Sequence, residues 1–144
     1  MKIILFDLDN TIADMDHRMW HLQQHSIDWD SFEADSYLDS PIQSTIKIME
    51  GFRELGHQVW IWTGRSDGVK SMTLLWLERY DVPYDQLLMR PHADEIGTLE
   101  LKKRWLNDAP VPKSKVLCAF DDDPKIITML RKEGLTTYHI ERPE

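Results

Sequence analysis

The sequence predicts an α/β protein built on a parallel sheet, and three observations carry that expectation. Short apolar runs recur five times along the 144 residues and alternate with segments of helical period. The first run, Ile3-Ile4-Leu5-Phe6, is apolar at every position, as in a strand covered on both faces. The polar residues of chemical interest follow directly on such runs, and open parallel sheets bind ligands at the carboxyl ends of their strands.

Each element has a local reason. After the first strand the chain leaves the sheet, and residues 13–40 are polar and aromatic with no strand-like run. They are expected to form a small cap, with a short helix over 28–38 capped by Asp28. Ser40-Pro41 reads as an N-cap followed by proline at the first helical position. Ile42, Thr45, Ile46, Met49, Phe52 and Leu55 then form one face, and Gly56 ends the helix. Gln58–Trp62 is the second strand, closing on Thr63-Gly64-Arg65-Ser66. A helix to about Tyr80 follows, with Met72, Leu75, Trp76 and Arg79 on one stripe. Leu87–Arg90 is a short third strand stopped by Pro91, residues 97–107 read as helix, and Pro110 and Pro112 mark a loop. Lys115–Phe120 is the fourth strand, ending on Asp121-Asp122-Asp123-Pro124. Asp123 as N-cap and Pro124 at the first helical position start a helix that Gly134 terminates. Thr136–Ile140 is the fifth strand. The whole chain, 1–144, is expected to be one domain with 13–40 inserted into it.

Composition narrows the function classes. A net charge of −8 argues against an extended surface for duplex nucleic acid, though not against a local basic pocket. The single cysteine, Cys118, lies in an apolar run, so it reads as a small core residue and no internal disulfide can form. Strand residues and acids follow Met1 and Lys2 directly, without a signal peptide, and no apolar run approaches the ~20 residues of a membrane span. A cytoplasmic setting is the expectation. No protein partner is predictable from the sequence.

Asp7 and Asp9 stand one residue apart at the end of the first strand. Two carboxylates this close repel each other, and a divalent cation relieves them. Hard oxygen ligands suit Mg²⁺, which shares its coordination between a few carboxylates and a phosphate. Thr63-Gly64-Arg65, Lys102 and Asp121/Asp122 fall at or beside other strand ends, so a parallel sheet brings them together from distant parts of the chain. Singly, each has a plain structural explanation as a cap, a solvated lysine or a helix start. Jointly they point to a metal, a phosphate and an attacking carboxylate.

The order DxDxT, a strand ending in Thr-Gly-Arg, a lysine, then an apolar strand ending in Asp-Asp resembles the haloacid dehalogenase (HAD) superfamily of phosphohydrolases. The likeness covers nearly the whole chain. Thr63-Gly64-Arg65-Ser66, the stretch Val82 to Arg90 and Phe120-Asp121-Asp122 resemble one branch in particular, the 3′-phosphatase domain of bacteriophage polynucleotide kinase. No kinase P-loop of the form GxxxxGK[ST] occurs, so the likeness is to the phosphatase half. The resemblance implies a HAD-like Rossmannoid three-layer sandwich, its five strands in order 5-4-1-2-3, with the cap over the carboxyl edge. It implies that Asp7 attacks phosphorus and that Asp9 handles the protons. It further implies that Thr63, Gly64, Arg65 and Lys102 bind the phosphate, and that Asp7, the backbone carbonyl of Asp9 and Asp121 or Asp122 hold Mg²⁺, with Asp122 favoured.

Three functions compete at this point. The first is a Mg²⁺-dependent phosphomonoesterase acting on a 3′-phosphate of a nucleotide or nucleic-acid end through an aspartyl-phosphate. The second is a phosphatase of free nucleotides or other small metabolites. The third is a receiver-like signalling domain, against which the placement of DxDxT on the first strand counts. Weaker features are the His17, His21 and His25 spacing, which would put all three on one α-helical face, and the aromatics Trp20, Trp29 and Tyr37. The latter read as either the cap's own core or a surface for stacking on a base. Arg18, Lys70, Arg90 and His92 could add local positive charge.

Overall fold

The computed structural model describes residues 1–108 and 112–143. In chain order the strands are β1 (Ile3–Phe6), β2 (Ala13–Asp14), β3 (Ser40–Pro41), β4 (Gln58–Ser66), β5 (Gln86–Arg90), β6 (Val116–Asp121) and β7 (Thr137–His139). The α-helices are α1 (Trp29–Ala34), α2 (Gln43–Glu54), α3 (Lys70–Arg79), α4 (Thr98–Asp108) and α5 (Pro124–Lys132). Five strands form one sheet in the order β5-β4-β1-β6-β7, all neighbours parallel. Read from the other edge, this is the order expected above. The β-strand ends that carry Asp7, Thr63 and Asp121 therefore share one edge.

The all-apolar β1 lies at the centre and is buried on both faces. Ile4 and Phe6 pack with Ile46, Met49, Trp76 and Leu77 of α2 and α3 on one side. Ile3 and Leu5 pack with Trp60, Trp62, Leu106, Ile126 and Leu130 on the other. Phe6 and Phe120 stack with ring centroids 4.7 Å apart, fixing β1 against β6 one residue before their acids. Asp123 caps α5 by accepting from the Lys125 amide, with Pro124 opening the helix. Gly134, at φ +90°, supplies the left-handed turn that ends it.

The predicted helix start at Ser40-Pro41 is corrected by the structure. These two residues form β3 and pair antiparallel with β2, Ala13 opposite Pro41 and Asp14 opposite Ser40. The outgoing and returning chains of the cap cross here side by side, and the Ile42 amide donates to the Ile12 carbonyl at 2.7 Å. Backbone pairing in this neck outcompetes the cap signal, and α2 begins only at Gln43. Its far end also differs: Leu55 is exposed. The buried face of α3 is Thr73, Trp76 and Leu77, whereas Leu75 points to solvent. The Trp76 indole donates to the Asp39 carbonyl at 2.9 Å, which turns that face under the cap. The loop expected at Pro110 falls outside the described residues.

Within the cap, residues 16–23 form a 3₁₀ helix rather than an α-helix. At three residues per turn, His17, His21 and His25 do not share a face. His17 bonds to Asp39 and His21 to Asp35, both at 2.7 Å. Phe32 is the buried centre, with the Arg18 guanidinium 4.5 Å over its ring. Trp20 and Trp29 pack at its periphery and stay 53% and 56% exposed.

Cys118 is buried in β6, and burial pushes its thiol up to about 11. It is therefore expected to resist Ellman's reagent in the folded protein at pH 8 and to react once the chain is unfolded in guanidinium chloride. Rapid reaction in the native state would show that β6 opens locally.

Candidate active site

Asp7 is the first residue beyond β1. Its amide donates to the Phe120 carbonyl at 3.0 Å, so the β1–β6 pairing continues to the residue that matters chemically. The turn that follows is built by the sequence itself. Asn10 takes φ +61°, a conformation asparagine tolerates, and its side chain accepts from the Met15 amide at 3.3 Å. The Thr11 hydroxyl donates to Asp7 Oδ2 at 3.4 Å.

Lys102 lies on the buried face of α4, and its ammonium donates to Asp7 Oδ1 at 2.9 Å and to Asp121 Oδ2 at 2.7 Å. Burial opposes its charge, but the two carboxylates outweigh burial and hold it well above the ordinary lysine range. Burial pushes the Asp7 carboxyl well above its usual range; Lys102 opposes the shift, and Asp121 and Asp122 reinforce it. Asp122 is raised as well, chiefly by burial.

Oxygens of Asp7, Asp121 and Asp122 lie within 4.8 Å of one another. That spread is close to the ~4.2 Å between opposite ligands of a Mg²⁺ ion with ~2.1 Å bonds. The raised affinities of Asp7 and Asp122 for protons mark a cluster that a cation would relieve. The donor set is all oxygen, as Mg²⁺ requires. Asp121 is already engaged, Oδ2 by Lys102 and Oδ1 by the Asp123 amide at 3.0 Å. The Asp122 carboxylate lies in the same cluster and takes no such hydrogen bond among the described residues, which leaves it the freer oxygen donor.

Asp9 belongs to a second network. Its Oδ1 receives Arg65 Nη2 at 2.5 Å and Arg18 Nη2 at 2.8 Å, while Oδ2 takes no hydrogen bond among the described residues. Burial works against its charge, but Arg65 and Arg18 prevail and hold the carboxyl below its usual range. Behind the arginines sits Asp39, fully buried, which accepts from Arg18 Nε at 2.8 Å and Nη2 at 3.0 Å and lies 3.6 Å from Arg65 Nη2. Arg65 also donates to the Thr73 hydroxyl at 3.2 Å, and its buried Nε has no partner among the described residues. Thr63 is buried at the strand end and accepts from the Arg65 amide at 3.1 Å.

The structure thus brings together Asp7, Lys102, Asp121 and Asp122, sets Asp9 and Arg65 beside them, and leaves His17 and His21 paired with Asp39 and Asp35. Sequence reading passed over Asp39 and gave Arg18 only a general charge. Their signal was faint: an arginine just after the cap's first strand and an acid just before its return, in a segment otherwise rich in acids.

A parallel sheet in this order, with DxDxT after its central strand and Lys102 bridging Asp7 to Asp121 at the end of the neighbouring strand, is the arrangement of a HAD-type phosphatase domain. The family model described as the polynucleotide kinase PNKP phosphatase domain matches residues 1–144. The chain belongs to that family. Among solved structures it is similar to a chain of the Pnkp1/Rnl/Hen1 RNA repair complex, with TM-score 0.82 and 20% identity over 97% of this chain and 42% of that one. It also resembles the class C acid phosphatase of Bacillus anthracis (TM-score 0.65, 18% identity, 88% and 54% covered). A haloacid dehalogenase-like hydrolase, SP0104 of Streptococcus pneumoniae, is similar as well (TM-score 0.65, 12% identity, 98% and 85% covered). The chain spans less than half the length of the first of these. No curated protein matches the sequence at a significant level.

The raised Asp7 pKa has a consequence for stability. A carboxyl raised on folding binds its proton more tightly in the folded state, so ionising it costs stability. That cost is absent below the ordinary carboxylate range and grows as pH rises through that range toward the raised value. Asp7→Asn is accordingly expected to melt above the unmutated protein at pH 7 in EDTA, with the gap closing near pH 4. A lower melting temperature at pH 7 would mean that pairing with Lys102 outweighs burial.

Proposed function

We propose that this chain is a Mg²⁺-dependent phosphomonoesterase that works through an aspartyl-phosphate on Asp7 and acts on a 3′-phosphate at the end of a nucleotide or oligonucleotide. The observation that carries the chemistry is the separation of two carboxylates one residue apart. Asp7 faces a lysine and two acids, whereas Asp9 faces two arginines.

Asp7 attacks phosphorus as the carboxylate, its charge balanced by Lys102. The phosphoryl oxygens are received by the Thr63 hydroxyl, the Gly64 amide and Lys102. Arg65 adds charge from behind Asp9. The P–O bond to the leaving group breaks, and Asp9 gives that oxygen a proton through Oδ2. In the free site the arginines favour the carboxylate. A dianionic phosphate beside Asp9 competes for Arg18 and Arg65 and so raises its proton affinity. Asp9 then takes a proton from water, which attacks the phosphoryl group and frees Asp7. Asp7, Asp122 and the Asp9 carbonyl would hold Mg²⁺, with Asp121 as the alternative to Asp122. When bound, the ion would supply charge neutralisation to the attack of a carboxylate on a phosphate.

The 3′ preference is supported by the family match, by the fold shared with a chain of an RNA repair complex, and by a small cap beside an Asp9 whose side chain is 27% exposed. One feature favours the second reading, a phosphatase of free nucleotides or small metabolites. Residues 13–40 carry seven acids against one arginine, a poor surface for a long polyanion. The two readings meet in a substrate whose contacts are confined to its last nucleotides. The chain has no helix long and apolar enough to cross a membrane among the described residues.

A substrate panel with Mg²⁺ separates the readings. A 3′-phosphorylated oligonucleotide and a 3′-mononucleotide are expected to give higher kcat/KM than a 5′-phosphorylated oligonucleotide or a sugar phosphate. Equal efficiency on sugar phosphates would select the small-metabolite reading. Asp7→Asn is expected to abolish turnover, and Asp9→Asn to lose most of it while Mg²⁺ binding, followed by calorimetry, survives. Near-normal turnover by either variant removes the role assigned to it.

A further inference from the structure

Arg90 ends the edge strand β5 and lies outside both charge networks of the site. Its three nitrogens are spent on two chain segments. Nε donates to the Gly64 carbonyl at 2.8 Å, Nη2 donates to the Thr98 hydroxyl at 2.9 Å, and Nη1 donates to the Ile96 carbonyl. Gly64 belongs to the Thr63-Gly64-Arg65 end of β4, where the β4–β5 pairing is irregular between Thr63 and Ser66. Thr98 opens α4, and Lys102 follows four residues later on the same face of that helix. The two segments touch so closely that a Cβ on Gly64 would stand 2.6 Å from Thr98 Oγ1 and 3.2 Å from Arg90 Nη2.

We propose that Arg90 is a positioning residue that clamps the Thr63-Gly64-Arg65 end of β4 to the start of α4, and so sets the phosphate-binding atoms of Thr63 and Gly64 relative to Lys102. The inference rests on the phosphatase reading above. A planar guanidinium with its nitrogens fixed on three acceptors holds one geometry, whereas an ammonium at the same place would hold none of the angles. The charge of Arg90 is thus turned to the protein and not to the substrate. Gly64 is required at its position because the clamped surfaces leave no room for a side chain.

The test uses Arg90→Ala, Arg90→Lys and Thr98→Val; the last keeps the side-chain shape and removes only the acceptor of Nη2. Hydrolysis of p-nitrophenyl phosphate with Mg²⁺ is expected to lose about tenfold to a hundredfold in kcat for both Arg90 variants, with KM within about threefold. Thr98→Val should lose less, with the same split. Millimolar guanidinium should restore part of the Arg90→Ala turnover and none of that of Lys102→Ala. Hydrogen exchange is expected to quicken together in residues 63–68 and 96–101 of Arg90→Ala, and more weakly in Thr98→Val if the alanine variant does not fold. Arg90→Lys keeping its kcat while KM rises would overturn the proposal in favour of direct substrate contact. Unchanged exchange in both segments would overturn the clamp itself. Failure of the unmutated protein to hydrolyse any phosphate ester would defeat the phosphatase reading, and the exchange measurement would still decide the clamp.

Discussion

The buried ammonium of Lys102 between Asp7 and Asp121 is the contact on which the site depends. It joins the ends of β1 and β6, at the centre of the sheet, to α4, which reaches them from 95 residues further along the chain than Asp7. Such an arrangement is poor engineering for stability. Desolvating three charges costs several kcal/mol per ion, and their attraction returns little beyond that. Removing the lysine alone would leave two buried carboxylates uncompensated, at a cost of ~3–5 kcal/mol. The surrounding apolar layers, Ile4 and Phe6 on one side and Leu5 and Trp62 on the other, bear the stability that this cluster consumes.

A second buried network ties the cap to the sheet. Asp39, at the cap's return, holds Arg18 from its outward arm and lies against Arg65 from β4, and both arginines converge on Asp9. Cap and core are therefore joined by charge as well as by the two-residue β2–β3 neck. The consequence is chemical. Two aspartates one residue apart, with the same intrinsic acidity, are driven in opposite directions: Asp7 up by burial among acids, Asp9 down by two guanidiniums. Separating two carboxyl groups in this way gives them opposite proton affinities, as the proposed mechanism requires of them.

The cap is acidic overall but presents Arg18 inward, so its attraction for an anion is confined to the site. Its aromatic residues divide in the same way. Phe32 fills the interior beneath the Arg18 guanidinium, and Trp20 and Trp29 remain half in solvent. On the proposed function, contact with a phosphate end does not require a basic exterior, because Lys102, Arg18, Arg65 and a cation held by the acid cluster would meet its charge locally.

The sequence by itself determined the parallel sheet and the set of residues at its carboxyl edge, while the strand order came from the family resemblance. An all-apolar β1 admits only a strand covered on both faces, and strand–helix alternation puts every strand end on one side. Asp7, Thr63, Lys102 and Asp121 were legible for that reason, since each is fixed by its place on a regular element. Tertiary structure decided what regular elements do not specify. Ser40 and Pro41 became a strand because the cap's two arms must cross at Ile12 and Ile42. The stripe of α3 turned to Thr73 and Leu77 because Trp76 met the Asp39 carbonyl. Asp39 was passed over and Arg18 read only as local positive charge, because a charged side chain shows no partner in the sequence until one from elsewhere in the chain is placed against it. Arg90 read as a spare charge for the same reason. Periodicity reports which face is buried, but only the assembled chain reports which acceptor a guanidinium finds.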